Sequence, residues 1–195
     1  MVDLHQAEPG LPEGHPWLAF SRWQMAWRSF LGVSLVGMVG TLFFSAITAG
    51  NGGLNLIESA MPFIFAMVLP LITAVLASAF GQRLKRYYPF SQSLLFAAIT
   101  VVAVVVLTAV LSVWDSLVRG PCPADTLCSA PLDGAFWVIF LLGFPVFLSS
   151  CVGYGLAIWA STKRGTRVFW PVWGGVLVLF VVAIGYVHFL ARVAS

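Results

Sequence analysis

The sequence predicts an all-α integral membrane protein that crosses the bilayer several times, because three observations agree. First, 60% of its 195 residues are hydrophobic and only 9% are charged, whereas soluble domains average about 25% charged residues. Second, its long apolar stretches each reach the roughly 20 residues that a helix needs to span a bilayer. Third, eight of its ten Lys and Arg residues fall into three clusters between these stretches.

Five apolar stretches are long enough to be transmembrane helices, and three of them contain internal prolines that favour kinks. The predicted spans cover about residues 29–49, 58–80, 92–114, 135–160 and 169–191. Residues 1–15 are polar and rich in Pro and Gly, so we expect a flexible cytoplasmic tail. Residues 16–195 are then one transmembrane helical domain.

The basic clusters predict the orientation, since Lys and Arg beside apolar segments mark the cytoplasmic side of a membrane. The clusters are Arg22 and Arg28; Arg83, Lys85 and Arg86; Lys163, Arg164 and Arg167. The two intervening loops, 50–57 and 115–134, contain one basic residue between them, Arg119. The N-terminus is therefore predicted inside and the C-terminus outside. We expect a multi-pass protein of a cell membrane, with a bacterial plasma membrane as its location.

A short amphipathic helix is predicted before the first span. Trp17, Phe20, Trp23 and Trp27 recur every three or four residues, which places them on one helix face. With Arg22 and Arg28 near the opposite face, residues 16–28 suit a helix lying in the membrane interface. In the alternative interpretation, this segment is the cytoplasmic end of the first span, with its aromatic residues in the interfacial belt.

Two cysteines of the longest outer loop, Cys122 and Cys128, favour a disulfide, because oxidising conditions prevail on the predicted outer side. Redox-active pairs usually have the spacing Cys-x-x-Cys, so a structural bridge is favoured over a thiol-disulfide enzyme. Cys151 lies within the fourth predicted span and is expected to be a packed, reduced thiol.

Ionisable side chains are nearly absent from the predicted spans, which argues against a proton relay, an ion-coupled carrier or an ion-selective pore. Glu58 and His188 stand near the predicted outer ends of two spans. They could form an outer polar site, or could simply extend into interfacial water. No metal site, cofactor or catalytic group is predicted. Nucleic acid is not expected as a partner, because the basic residues lie in short loops beside spans.

Small side chains at four-residue spacing predict where helices pack closely. One such face lies on the first span and another on the fourth. Their members are Gly37, Thr41 and Ser45, and Ser149, Gly153 and Ala157.

The predicted cytoplasmic loop after the second span is the candidate site for a partner. It combines basic and aromatic residues in a segment long enough for a short helix before Pro89. The candidate partner-binding residues are Arg83, Lys85, Arg86, Tyr87, Tyr88 and Phe90.

The order of interfacial helix, span, span and cytoplasmic loop resembles that of export-type ABC permeases, in which a coupling helix after the second span contacts a separate ATPase. The resemblance covers the first half of the chain and is one of arrangement, without a shared motif. That family generally has six spans and a Glu-rich stretch near the coupling helix. Here five spans are predicted, and no acidic residue lies between Glu58 and Asp115.

Two functions follow as expectations. One is a non-catalytic, permease-like subunit of a transport complex, driven by a separate cytoplasmic ATPase. The other is an accessory or assembly subunit of a larger membrane complex, with no transport path of its own. In both, the expected partners are membrane lipids and other membrane subunits, as a homodimer or a heteromer.

Overall fold

The computed structural model describes residues 11–48, 63–119 and 142–194, and all regular secondary structure in these ranges is helical. The helices are α1 (Pro16–Ala19), α2 (Arg22–Thr48), α3 (Leu69–Leu84), α4 (Pro89–Arg119), α5 (Gly143–Trp159) and α6 (Lys163–Ala194). A π-helical segment, Ile64–Val68, leads directly into α3. The predicted all-α class is confirmed for the described residues.

Four helical stretches in the described residues are long and apolar enough to cross a membrane. They are Arg22–Phe43, Ile64–Leu84, Pro89–Asp115 and Lys163–Tyr186. The fifth helix, α5, is also apolar but has 17 residues. The first part of the span predicted there, residues 135–141, lies outside the described ranges. The described helices are therefore compatible with a multi-pass helical membrane protein.

The start of α2 shows that residues 16–28 do not form the single short helix predicted for them. Residues 22–28 are the first turns of α2, and only Pro16–Ala19 forms a separate helix. The backbone N–H of Gln24 donates to Ser21 Oγ over 3.3 Å, and the N–H of Ser21 donates to Gln24 Oε1 over 2.9 Å. This reciprocal pair is a capping box, which begins a new helix directly after Ser21.

Helix α2 is the centre of the bundle. It packs against α3, α5, α6 and the π-helical segment, and α4 packs against both α3 and α5. Helices α2, α3, α4 and α5 therefore form a closed four-helix ring, with α6 outside it against α2. Half (50%) of the apolar stretch of α2 is buried, compared with 11% for α6. The low burial of α6 is expected of a helix that packs on one side and contacts lipid on its other faces.

Glycines bring α2 very close to two of its neighbours. A Cβ added at Gly153 would lie 2.6 Å from the Cα of Val33, and one at Gly32 would collide with the Gly153 carbonyl. A Cβ at Gly37 would collide with the carbonyl of Phe65 in the π-helical segment. These contacts between backbones need side chains no larger than hydrogen.

The π-helical segment has a local cause in Pro70. Proline has no N–H to donate to the carbonyl four residues earlier, and its ring clashes with that carbonyl in a regular α-helix. Here the chain widens over Ile64–Val68, and the N–H of Leu69 donates to the carbonyl of Ile64, five residues earlier. The wider turn accommodates the proline without interrupting the helix.

Candidate functional site

The three basic clusters come together at one end of the bundle, named here the basic end. It comprises the starts of α2, α4 and α6 and the ends of α3 and α5. Arg28 Nη1 donates to the carbonyl of Ala160, just after α5, over 2.8 Å. Lys85, just after α3, reaches the segment that precedes α2. Charged groups far apart in the chain therefore share one face of the molecule.

The predicted partner loop is a turn of four residues, 85–88, between α3 and α4. The short helix expected before Pro89 does not form, because α3 continues to Leu84 and α4 begins at Pro89 itself. Three aromatic side chains there are 50, 55 and 71% exposed, in the order Tyr87, Tyr88 and Phe90. The turn surface is defined as these three residues together with the exposed Arg83 and Arg86.

Lys85 differs from the other members of the predicted partner site, because its side chain is used inside the protein. Its Nζ donates to the carbonyls of Leu18 and Phe20, each over 2.8 Å. Gln82 Nε2 donates to the same Phe20 carbonyl over 3.0 Å. Partial burial lowers the pKa of the Lys85 ammonium, since desolvation disfavours its charged form. Lys85 therefore holds the N-terminal segment and is not part of the turn surface.

The segment 11–20, named here the N-terminal strap, closes the basic end of the four-helix ring. Trp17 is fully buried, with its ring edge-on to Tyr154 at 5.5 Å between centroids. Tyr154 in turn stacks on Phe96 at 4.2 Å. The buried cluster around Trp17 draws on α2, α3, α4 and α5: Met25, Ala77, Leu84, Phe96, Tyr154, Ala157 and Ile158.

The strap was not predicted, since residues 1–15 were expected to be a flexible tail. Leu11 belongs to the cluster around Trp17 and is almost completely buried. His15 caps α1, with its Nδ1 accepting from the N–H of Trp17 over 3.2 Å. The sequence signal for a separate strap was the capping box of Ser21 and Gln24.

Arg28 connects three parts of the basic end. Besides donating to the Ala160 carbonyl, its guanidinium lies 5.1 Å from the ring centroid of Phe20, a cation–π distance. Thr166 Oγ1 of α6 also donates to the Ala160 carbonyl, over 2.7 Å. The strap, the start of α2 and the turn between α5 and α6 are thereby tied together.

The two packing faces predicted from small side chains lie on α5 and α2. Ser149 and Ala157 are buried on α5 with Gly153, beside α2. On α2, Ser45 is buried. Thr41 Oγ1 donates over 2.8 Å to the carbonyl of Gly37 in its own helix.

Several predicted residues lie outside the described ranges. These are Glu58, Cys122 and Cys128, and of His188 only the backbone, within α6, is described. The disulfide and the outer polar site stay predictions. Cys151 is a partly buried free thiol in α5. Within the described part of the chain, no three His, Cys, Asp or Glu side chains are grouped as a metal site would need.

Comparison with known proteins finds no matching family model, no matching curated protein and no matching solved structure. The four long apolar helices of the described residues are compatible with a multi-pass helical membrane protein.

Proposed function

We propose that the protein is a non-catalytic transmembrane subunit of a membrane transport complex, and that a cytoplasmic partner binds its turn surface. The observation that supports this most is the concentration of exposed aromatic and arginine side chains on the four-residue turn and the helix ends that flank it. Aromatic residues and Arg are enriched in protein interfaces and in their energetic hot spots. Interfacial lipid also attracts such residues, so the experiment below separates the two.

The proposal includes five spans, a cytoplasmic N-terminus and an outer C-terminus. The four candidate spans, together with the apolar α5, are compatible with this count. The convergence of the basic clusters at one end fits the rule that Lys and Arg remain on the cytoplasmic side. A bacterial plasma membrane is the proposed location.

A separate ATPase is the proposed partner, because the order of elements resembles that of export-type ABC permeases. The turn after α3 is shorter than a coupling helix, so the ATPase would contact the turn itself and the first residues of α4. Phe90, on the first turn of α4, extends the contact in that direction.

The second candidate, an accessory or assembly subunit, has its own supporting observation. The apolar stretches of α4 and α6 are only 17% and 11% buried. These faces can bind other membrane subunits, or a second copy of the chain, as well as lipid. In this case the partner is another membrane protein and no ATPase is needed.

Co-purification tests the proposal. The wild-type protein is extracted from its native membrane in a mild detergent, and the accompanying proteins are identified by mass spectrometry. A variant carrying Arg86→Glu and Tyr87→Ala is compared with Arg164→Glu, an exposed basic residue at the start of α6.

An ATP-binding protein that accompanies the wild type and the Arg164→Glu control, but not the turn-surface variant, supports the transport subunit. If only membrane proteins accompany the chain, and the wild type and both variants retain them, the result supports the accessory subunit. If no protein accompanies any of the three, both candidates fail.

A further inference from the structure

The end of α3 holds the N-terminal strap by hydrogen bonds to two main-chain carbonyls. Gln82 Nε2 donates to the carbonyl of Phe20 over 3.0 Å, and Lys85 Nζ donates to the carbonyls of Leu18 and Phe20 over 2.8 Å each. Both carbonyls lie at the end of α1, where a helix leaves its last carbonyls without a partner of its own. The Lys85 ammonium therefore satisfies acceptors that the short helix α1 cannot satisfy itself.

Lys85 also belongs to the turn between α3 and α4, of which it is the first residue. Its neighbours Arg83 and Arg86 are both exposed. An ammonium group has three N–H donors, and the hydrogen bonds to the strap use those of Lys85 for two carbonyls. While the strap is docked, the turn therefore presents two exposed cations to a partner. When the strap opens, Lys85 becomes the third.

The second half of the turn is held from inside the protein and does not depend on the strap. The fully buried Gln92 donates through Nε2 to the carbonyl of Tyr87 over 2.6 Å. Its backbone N–H donates to the carbonyl of Tyr88 over 2.7 Å, and the N–H of Tyr87 donates to that of Leu84 over 3.0 Å. Opening of the strap should therefore change the number of cations on the turn without unfolding it.

Carboxylates are scarce around the turn, and this determines which partners its cations attract. No Asp or Glu occurs between Glu58 and Asp115 in the sequence. Among the described residues of the basic end and the strap, Glu13 carries the single carboxylate, and it is exposed on the strap. A basic surface of this kind is complementary in charge to an acidic segment of another protein.

We propose that the turn surface binds an acidic segment of its partner, and that the docked strap weakens this binding by withholding Lys85. The inference rests on the proposed function, because it specifies the partner chemistry and the regulation of the same surface. Coupling between two equilibria is reciprocal, so an acidic ligand on the turn favours the open strap as much as the docked strap opposes the ligand. One additional exposed ion pair corresponds to a coupling of about 1.5- to 5-fold.

Amide hydrogen exchange of residues 11–21 tests this coupling in the intact chain, in nanodiscs of zwitterionic phospholipid at low salt. The probe is a polyglutamate peptide, whose binding is followed by fluorescence anisotropy. We expect saturating peptide to accelerate strap exchange by about 1.5- to 5-fold in the wild type. In Lys85→Met most of this acceleration should be lost, because no ammonium can move from the strap to the peptide. Full acceleration in Lys85→Met would refute the role of Lys85.

Two arginine substitutions locate the bound peptide. Arg86→Glu places a carboxylate on the turn and should remove the acceleration. Arg164→Glu, an equally exposed site at the start of α6, should retain it. The opposite pattern would place the acidic ligand away from the turn and overturn the assignment.

Three further results would overturn the proposal. If the peptide does not bind, the turn does not recognise carboxylates. If it binds while strap exchange is unchanged or slower, the docked strap does not oppose the ligand. If anionic phospholipid in the nanodiscs accelerates strap exchange and the peptide does not, the surface binds lipid headgroups. These measurements use no natural partner, so their failure refutes the acidic ligand, whereas the absence of a co-purifying protein refutes the proposed function.

Discussion

Replacing Trp17 by Ala should release the N-terminal strap while leaving the helical bundle folded. Trp17 is fully buried and makes ring contacts with Phe20 and Tyr154. Its indole N–H makes no hydrogen bond of good geometry, although it interacts with the Tyr154 hydroxyl. The contribution of Trp17 to strap docking therefore comes mainly from apolar burial and aromatic contact.

The size of the effect follows from that burial. Truncating a buried Trp to Ala costs about 3–5 kcal/mol. Since the strap precedes α2 and is not part of the ring, the loss should appear first as local opening of the strap. An increase of about one-hundred- to a few-thousand-fold in the opening equilibrium corresponds to that energy.

Amide hydrogen exchange of the segment 11–21, followed by mass spectrometry, measures this opening. Trp23→Ala is the matched control, because Trp23 is 78% exposed and belongs to the first turn of α2, outside the strap. We expect much faster exchange in Trp17→Ala and nearly unchanged exchange in Trp23→Ala. Equal exchange rates in the two variants would refute the strap as a docked element.

Two further substitutions test contacts at the basic end and in the ring. Lys85→Met removes the ammonium that binds two strap carbonyls, so strap exchange should rise by an amount equivalent to about 1.5–3 kcal/mol. The exposed Arg83→Met should leave strap exchange unchanged, and similar effects of both would contradict the role of Lys85. Gly153→Ala places a Cβ against the backbone of Val33, and should destabilise the protein by about 1–3 kcal/mol in thermal unfolding. Gly175→Ala on α6 meets open space and should be neutral or slightly stabilising, so a neutral Gly153→Ala would show that α2 and α5 cross less closely.

The apolar stretches were sufficient to predict the helical class and the four long apolar helices. Charge and hydropathy act locally, through the cost of placing each segment in lipid, so they can be evaluated from the sequence alone. Gly153 could also be predicted as a packing position, because close helix approach requires a small side chain at that point.

The strap could not be predicted from periodicity, because the three- to four-residue spacing of Trp17, Phe20 and Trp23 continues across the interruption between α1 and α2. Similarly, nothing in the sequence distinguishes Lys85 from Arg83 and Arg86, which are exposed in the structure. Its role depends on carbonyls more than 60 residues away, and only the packing of α3 against the start of α2 brings these groups together.

The most direct test of the central claim is an electron-microscopy structure of the complex purified from native membranes. We expect protein density from a cytoplasmic partner over the turn surface, in contact with Tyr87, Tyr88 and Phe90. A complex in which the turn surface contacts only lipid or solvent, with all partners bound elsewhere, would contradict it.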